Sequence, residues 1–336
     1  MSEQSHTFDV LVFGEALIDL ISDQMVSFLA DADGFGRFVG GQVTNVALNV
    51  VRLGGTAAAV GCVGDDGFGR YIRQQLERAG IGVEYVRLTA QAPTTVSVIA
   101  RQTATPDFII YRGADAHILP EKRYLEAAAA SRVVHTSAFA LSREPARSTI
   151  FQALETARQS GRMVSLDPNY HPRIWPDVDD VRGVLAEAYR WANVTKPSLD
   201  DCVRLFGPGL SPLAYVERFQ NWGPEIVALT MGERGILLAL NDGDFYHIEP
   251  GDVEVADVTG AGDAFWSGLL IALLDGYPPH EAACLGQIVA EIKIGTVGPV
   301  PRMPDRTELY RRIETVACEL ITHSSKLDEW SRPIDV

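Results

Sequence analysis

The order of its apolar segments is what most constrains the fold of this 336-residue chain. Short runs of strand character occur at Val10 to Phe13, Ala57 to Val60, Val133 to Thr136, Val164 to Leu166 and Ile226 to Thr230. Between them lie segments with apolar side chains at helical spacing, at Val46 to Leu53, Gly69 to Ala79, Ser148 to Ser160 and Ser198 to Phe206. This alternation is the pattern of βαβ units, and it predicts an α/β fold with a mostly parallel sheet covered on both faces. A hydrophobic content of 46% suffices for a sizeable core. With no internal repeat, low-complexity tract or Pro/Gly-rich linker to divide the chain, residues 1–323 read as a single α/β domain. The segment 324–336 reads as a polar tail that frays.

Two segments interrupt the alternation. Residues 17–39 and 94–119, the latter with the runs Val96 to Arg101 and Phe108 to Tyr111, read as antiparallel strands, joined in the second case around Thr105-Pro106-Asp107.

Charge and targeting signals narrow the function. The formal net charge of −15 argues against a nucleic-acid or anionic-membrane surface, so an anionic substrate must be held by local donors. Asp9, Glu15 and Asp19 break the only apolar run near the start, and neither a signal peptide nor a spanning segment is expected. Cys62, Cys202, Cys284 and Cys318 are scattered without metal-ligand spacing, as suits small buried hydrophobes or reduced thiols in a cytoplasmic enzyme.

Asp257-Val258-Thr259-Gly260-Ala261-Gly262-Asp263-Ala264-Phe265 carries the chemistry. Asp252 to Val255 before it read as the end of a strand, and Trp266, Leu269, Leu270, Leu273 and Leu274 after it as a helix. Gly260, Ala261 and Gly262 have little or no side chain, so their amides can approach an anion while the helix start adds unpaired donors and a positive dipole end. Asp263 falls at the rim of this cradle, in a field that favours its ionised form and makes it a weak base. A weak base suffices for phosphoryl transfer through a loose transition state. The alternative is an ordinary helix-capping aspartate after a glycine turn. No GxxxxGK[ST] stretch is present, which removes P-loop chemistry.

The same stretch resembles the C-terminal signature of the ribokinase-like, or PfkB, carbohydrate kinases. Gly40-Gly41-Gln42-Val43-Thr44-Asn45-Val46-Ala47, followed by Arg52-Leu53-Gly54-Gly55 and Gly61 to Gly69, resembles the N-terminal one. The resemblance covers nearly the whole chain. It implies a three-layer fold with a mostly parallel central sheet, in which residues 17–39 and 94–119 form a small β lid that closes over the sugar and excludes competing water. Asp263 is then the general base and Gly260 to Gly262 the anion hole. Asp19, Gly40, Gly41 and Asn45 match the sugar-binding surface; outside this context Asp19 or Asn45 would read as a cap or loop residue. Lys196 and Ser198, with Thr230, Gly232 and Gly235 of a Thr-x-Gly-x-x-Gly turn, fall beside the nucleotide. Asp201 falls where the family holds Mg²⁺ through water, although the family's Asn-x-x-Glu is here Ser198-x-x-Asp201. Asp257, Thr259 and the loop 295–302 resemble the family's monovalent-cation position, with Arg302 where some members offer a small polar ligand, which brings K⁺ in beside ATP and Mg²⁺.

Asp167 to Trp175 resembles the DPNYRPxLW segment of fructokinases and 2-keto-3-deoxygluconate kinases, which adds Asn169 to the sugar site. His171 replaces the arginine of that segment, and Ile110 stands where the ketodeoxygluconate enzymes place a tyrosine. Arg112 remains as a partner for a carboxylate or hydroxyl. These departures favour a neutral ketose or pentose such as fructose or ribose. A sugar-acid kinase, a nucleoside kinase and a non-catalytic sugar- or nucleotide-binding regulator remain the alternatives. A Rossmann oxidoreductase lacks its GxGxxG after the first strand. The partners expected are a sugar and ATP, neither nucleic acid nor membrane, with homodimers through the lid as in other family members.

Overall fold

A computed structural model describes residues 7–102, 107–296, 300, 303–321 and 328–334. The strands are β1 (Val10–Phe13), β2 (Leu17–Met25), β3 (Phe35–Gly40), β4 (Ala57–Gly64), β5 (Val86–Thr89), β6 (Val96–Arg101), β7 (Phe108–Tyr111), β8 (Val133–Ser137), β9 (Met163–Asp167), β10 (Val194–Thr195), β11 (Ile226–Thr230), β12 (Ile236–Leu240), β13 (Phe245–Ile248) and β14 (Cys318–Leu320). Ten of them form one sheet in the order β14-β13-β12-β11-β10-β9-β8-β1-β4-β5. From β11 to β5 neighbours run parallel, and β12, β13 and β14 add an antiparallel edge. β1, β4 and β8 are buried along their whole length, because helices cover both faces of the sheet and leave no polar side to alternate with. The two apolar clusters on either side of the sheet confirm the three-layer α/β class.

The other four strands form a second sheet in the order β3-β2-β6-β7. β2 pairs antiparallel with β3 and β6 with β7, but β2 and β6 run parallel to each other. This sheet ends at Tyr111; the following residues Ala114 and Ile118 are fully buried in the core of the main body. Thr105 and Pro106 of the expected turn lie outside the described residues.

Two sequence expectations fail. Asp252 to Val255 form no strand: β13 has already ended at Ile248, and although the side chains alternate, Glu254 and Val255 are exposed and no partner strand lies alongside among the described residues. In the tail, Trp330 packs against His247 with ring centroids 4.8 Å apart, so the described residues 328–334 are not simply a frayed end. Residues 324–327, 335 and 336 lie outside the described residues. Among the described residues no helix is long and apolar enough to cross a membrane.

Candidate active site

The parallel sheet delivers the C-terminal ends of its strands, and the loops that follow them, to one region. β1 leads through Gly14 and Glu15 into β2, which carries Asp19. β3 returns antiparallel to end on Gly40, beside the start of β2. A Cβ at Gly40 would fall onto the Asp19 carboxylate, so only glycine leaves room for it. Gly41 caps the helix Gln42–Arg52, whose first amide, that of Gln42, donates to Glu15 Oε1 at 2.8 Å. One turn on, Asn45 Nδ2 donates to Asp263 Oδ2 at 2.9 Å, joining the two halves of the sequence.

Asp263 lies in the first turn of the helix Ala261–Leu274. Gly260 caps this helix with φ +78°, a left-handed conformation that favours glycine. The Ala261 amide is spent on the Val258 carbonyl at 3.1 Å. The amides of Gly260, Gly262 and Asp263 have no acceptor among the described residues, as is usual of donors at a helix start.

Asp19 and Asp263 lie close enough to repel. Burial and the nearby Asp263 charge push the Asp19 carboxyl up to about 7. Burial also raises Asp263, against the pull of Lys196 and the hydrogen bonds from Asn45 and Gln42. The helix field alone predicted the opposite direction; burial of the carboxyl outweighs it.

Behind Gly262 lies a buried network that the motifs did not reveal. Lys196 Nζ sits 3.0 Å from where a Gly262 Cβ would be, and 3.1 Å from Asp167 Oδ2. Burial works against the Lys196 charge, but Asp167, Asp201 and Asp263 outweigh it and hold its pKa above the ordinary lysine value. Gln42 Nε2 also donates to Asp167 Oδ2, at 3.0 Å, while its Oε1 meets His135 Nε2. Burial drives His135 down to about 3, so the ring is neutral. Glu15, Gln42 and Asp167 were each visible within a motif; their burial was not.

Other expected residues take different roles. Both oxygens of Asp201 are engaged: Oδ2 accepts from the amide and hydroxyl of Ser198 in a capping box, and Oδ1 from the Tyr170 amide at 2.6 Å. Ser198 and Asp201 thus begin the helix Leu199–Phe206. Arg112 is paired with the buried Asp115, donates to Ser142 Oγ at 2.8 Å and lies over the Phe139 ring, so its guanidinium is committed to the protein. Asn169 is exposed beside the cleft, with φ +32° and its amide on Asp167 Oδ1. Thr230 packs on the Pro197 carbonyl, and Gly232 and Gly235 bound a short 3₁₀ turn. Asp257 Oδ1 accepts from the Thr259 amide at 2.9 Å, while Oδ2 faces Lys293 Nζ at 3.2 Å. Arg302 lies outside the described residues. A cavity of about 270 Å³ opens between the second sheet and the main body, lined by Asp19, Asn45, Arg52, Arg101, Gly260 and Lys293 among others.

This arrangement of a carboxylate base, an amide cradle and a buried lysine suits transfer of a phosphoryl group to an alcohol. The family model "pfkB family carbohydrate kinase" matches residues 7–306. The chain is 33% identical over 300 residues to the ATP-dependent 6-phosphofructokinase of Thermoanaerobacterium thermosaccharolyticum, covering 89% of this chain and 91% of that one. The fructokinase structure of Halothermothrix orenii superposes with a TM-score of 0.72 at 34% identity, covering 87% of this chain and 99% of that one. A putative ribokinase II of E. coli, solved with ATP and Mg²⁺, shares the fold at a TM-score of 0.79 and 21% identity, covering 92% and 99%. The chain belongs to the pfkB family of carbohydrate kinases and is a sugar-kinase-type phosphotransferase.

Proposed function

We propose that the chain transfers the γ-phosphoryl group of ATP to a primary hydroxyl of a small neutral sugar, fructose first among the acceptors. The observation that carries this reading is the meeting of Asp19, Asn45 and Asp263 at the mouth of an unpaired amide cradle. Asp19 accepts from sugar hydroxyls. Asp263, oriented by Asn45, takes the proton of the attacking hydroxyl as its oxygen bonds to phosphorus and ADP leaves. The Gly262 and Asp263 amides and Lys196 hold the charge of the transferring group.

No cluster of three or more acidic, His or Cys side chains suited to a metal occurs among the described residues, and Asp201 is spent as a cap. The donor set fits a Mg²⁺ carried by the nucleotide phosphates, with water between it and Asp167, where it neutralises phosphate charge. Commitment of Arg112 to Asp115 supports a neutral acceptor over a sugar acid. Self-association through the second sheet belongs to the same reading, supported by the exposed side chains of Met25, Phe28, Ile109 and Tyr111, as does a cytoplasmic site of action.

A second reading rests on Arg52 and Arg101. Both line the cavity that Asp19 lines, and the Arg101 guanidinium has no partner among the described residues. Such a pair suits an acceptor with a phosphate or carboxylate remote from its reacting hydroxyl. Coupled ADP release with fructose and fructose 6-phosphate separates the two. A preference for the phosphorylated sugar that disappears in Arg101→Ala establishes the second reading, and a preference for fructose in both proteins establishes the first.

A further inference from the structure

Lys293 lies in the last turn of the helix Pro279–Ile294 and is 8% exposed. Its ammonium faces three oxygens: the Asp257 carbonyl at 3.3 Å, Asp257 Oδ2 at 3.2 Å and the Thr296 carbonyl at 3.3 Å. An ammonium has three protons, and each finds an acceptor here. The Ile294 carbonyl also receives the amides of Ala256 and Asp257, at 2.9 and 3.0 Å, so the loop is clamped onto the C-terminal end of that helix, where a cation is favoured.

From this clamp a line of bonds leads to the cradle. Asp257 Oδ1 accepts from the Thr259 amide, and Gly260 follows in its left-handed turn. Lys293 Cε passes 3.9 Å from where a Gly260 Cβ would be. The free amides of Gly262 and Asp263 come next. The charge of Lys293 therefore lies under the turn that aims the anion donors. It also engages the oxygens of Asp257, the residue expected to ligate a dissolved monovalent cation, so these residues do not fit such an ion.

We propose that Lys293 is a tethered cation that fixes the cradle in place of a dissolved monovalent ion, so that nucleotide binding and turnover are independent of K⁺. Lys293 is a positioning residue: it acts through Asp257 and Thr259 on the Gly262 and Asp263 amides. The inference rests on the reading of this turn as the phosphoryl cradle.

The test measures the Kd of Mg·ATP by calorimetry, and kcat with the best acceptor, in KCl, NH₄Cl and choline chloride at equal ionic strength. The proteins are wild type, Lys293→Met and Lys293→Arg, with circular dichroism to establish folding. Wild type should vary by less than about twofold across the three salts. Lys293→Met should lose roughly 10- to 100-fold in kcat in choline, the usual cost of removing an outer-shell partner, and regain much of it with K⁺ or NH₄⁺. Lys293→Arg, which keeps the charge, should stay independent of the salt. Several-fold activation of wild type by K⁺ overturns the proposal, and this arm decides alone if Lys293→Met does not fold. A folded Lys293→Met that equals wild type in choline, or that no cation restores, overturns it as well. The calorimetric arm needs no acceptor, so a failure to find one counts against the kinase reading and leaves the cation inference to be judged on ATP binding.

Discussion

Asn45 and Asp263 stand 218 residues apart in sequence and share a 2.9 Å hydrogen bond between Asn45 Nδ2 and Asp263 Oδ2. The bond aims the proposed base from one signature with an amide from the other, and Gln42 adds a second hydrogen bond to the same carboxylate. Asp263→Asn should keep ATP and sugar binding near wild type while lowering kcat by ~10²- to 10⁴-fold, the usual span for a lost general base. Steady-state kinetics with a folding control check this.

Asn45→Ala frees the Asp263 carboxylate without removing it. We expect kcat to fall by roughly 10- to 100-fold, less than in Asp263→Asn, because the base remains but is no longer oriented. A loss as large as that of Asp263→Asn would place Asn45 on the reacting groups themselves.

Gly262→Val should damage kcat more than acceptor KM. Its Cβ would meet Lys196 Nζ at 3.0 Å and fill the space of the transferring group. The cause is this contact, since the left-handed residue of the turn is Gly260. Wild-type kcat in a folded variant would move the anion site elsewhere.

Asp19 predicts a pH dependence with a defined sign. Its carboxyl is raised to about 7 in the fold, above the ordinary aspartate value of 3.8, chiefly by burial and then by Asp263. The stabilisation from the protonated form is complete below the ordinary value and is lost as pH rises through about 7. Asp19→Asn should therefore raise the Tm of the unliganded protein at pH 8 and leave it little changed at pH 4. The same variant should raise acceptor KM by roughly 10- to 100-fold, through loss of a charged hydrogen-bond acceptor. In wild type, kcat/KM should fall on the acid side with an apparent pKa that belongs to the Asp19 and Asp263 pair.

Arg112→Ala should act on stability before specificity, because it strands the buried Asp115. Breaking a buried pair costs about 3–5 kcal/mol. A sharp fall in Tm with unchanged acceptor ranking is expected. Loss of a preference for 2-keto-3-deoxygluconate in this variant would instead place Arg112 in acceptor recognition.

Local pattern made much of this structure legible. β1, β4, β8, β9 and β11 read as apolar runs because strands buried on both faces have no polar side. β10 has two residues, and the helix Pro279–Ile294 is apolar nearly all round, so neither presents a clear period. At the site, the glycines and Asp263 were visible because close backbone approach demands residues without bulk. The network of Glu15, Gln42, Asp167 and Lys196 was hidden, since its members come from separate elements and only burial makes them a unit. Lys293 lies 36 residues from Asp257, and nothing local marks its ammonium as the partner of that carboxylate.

ADP release over a panel of neutral sugars, sugar phosphates, sugar acids and nucleosides, run with wild type and Asp263→Asn side by side, tests the central claim most directly. The account predicts ATP-dependent turnover of a neutral sugar, fructose first, with the loss in Asp263→Asn confined to kcat. Turnover of no member of the panel by a protein that binds ATP, or equal turnover by both proteins, would contradict it.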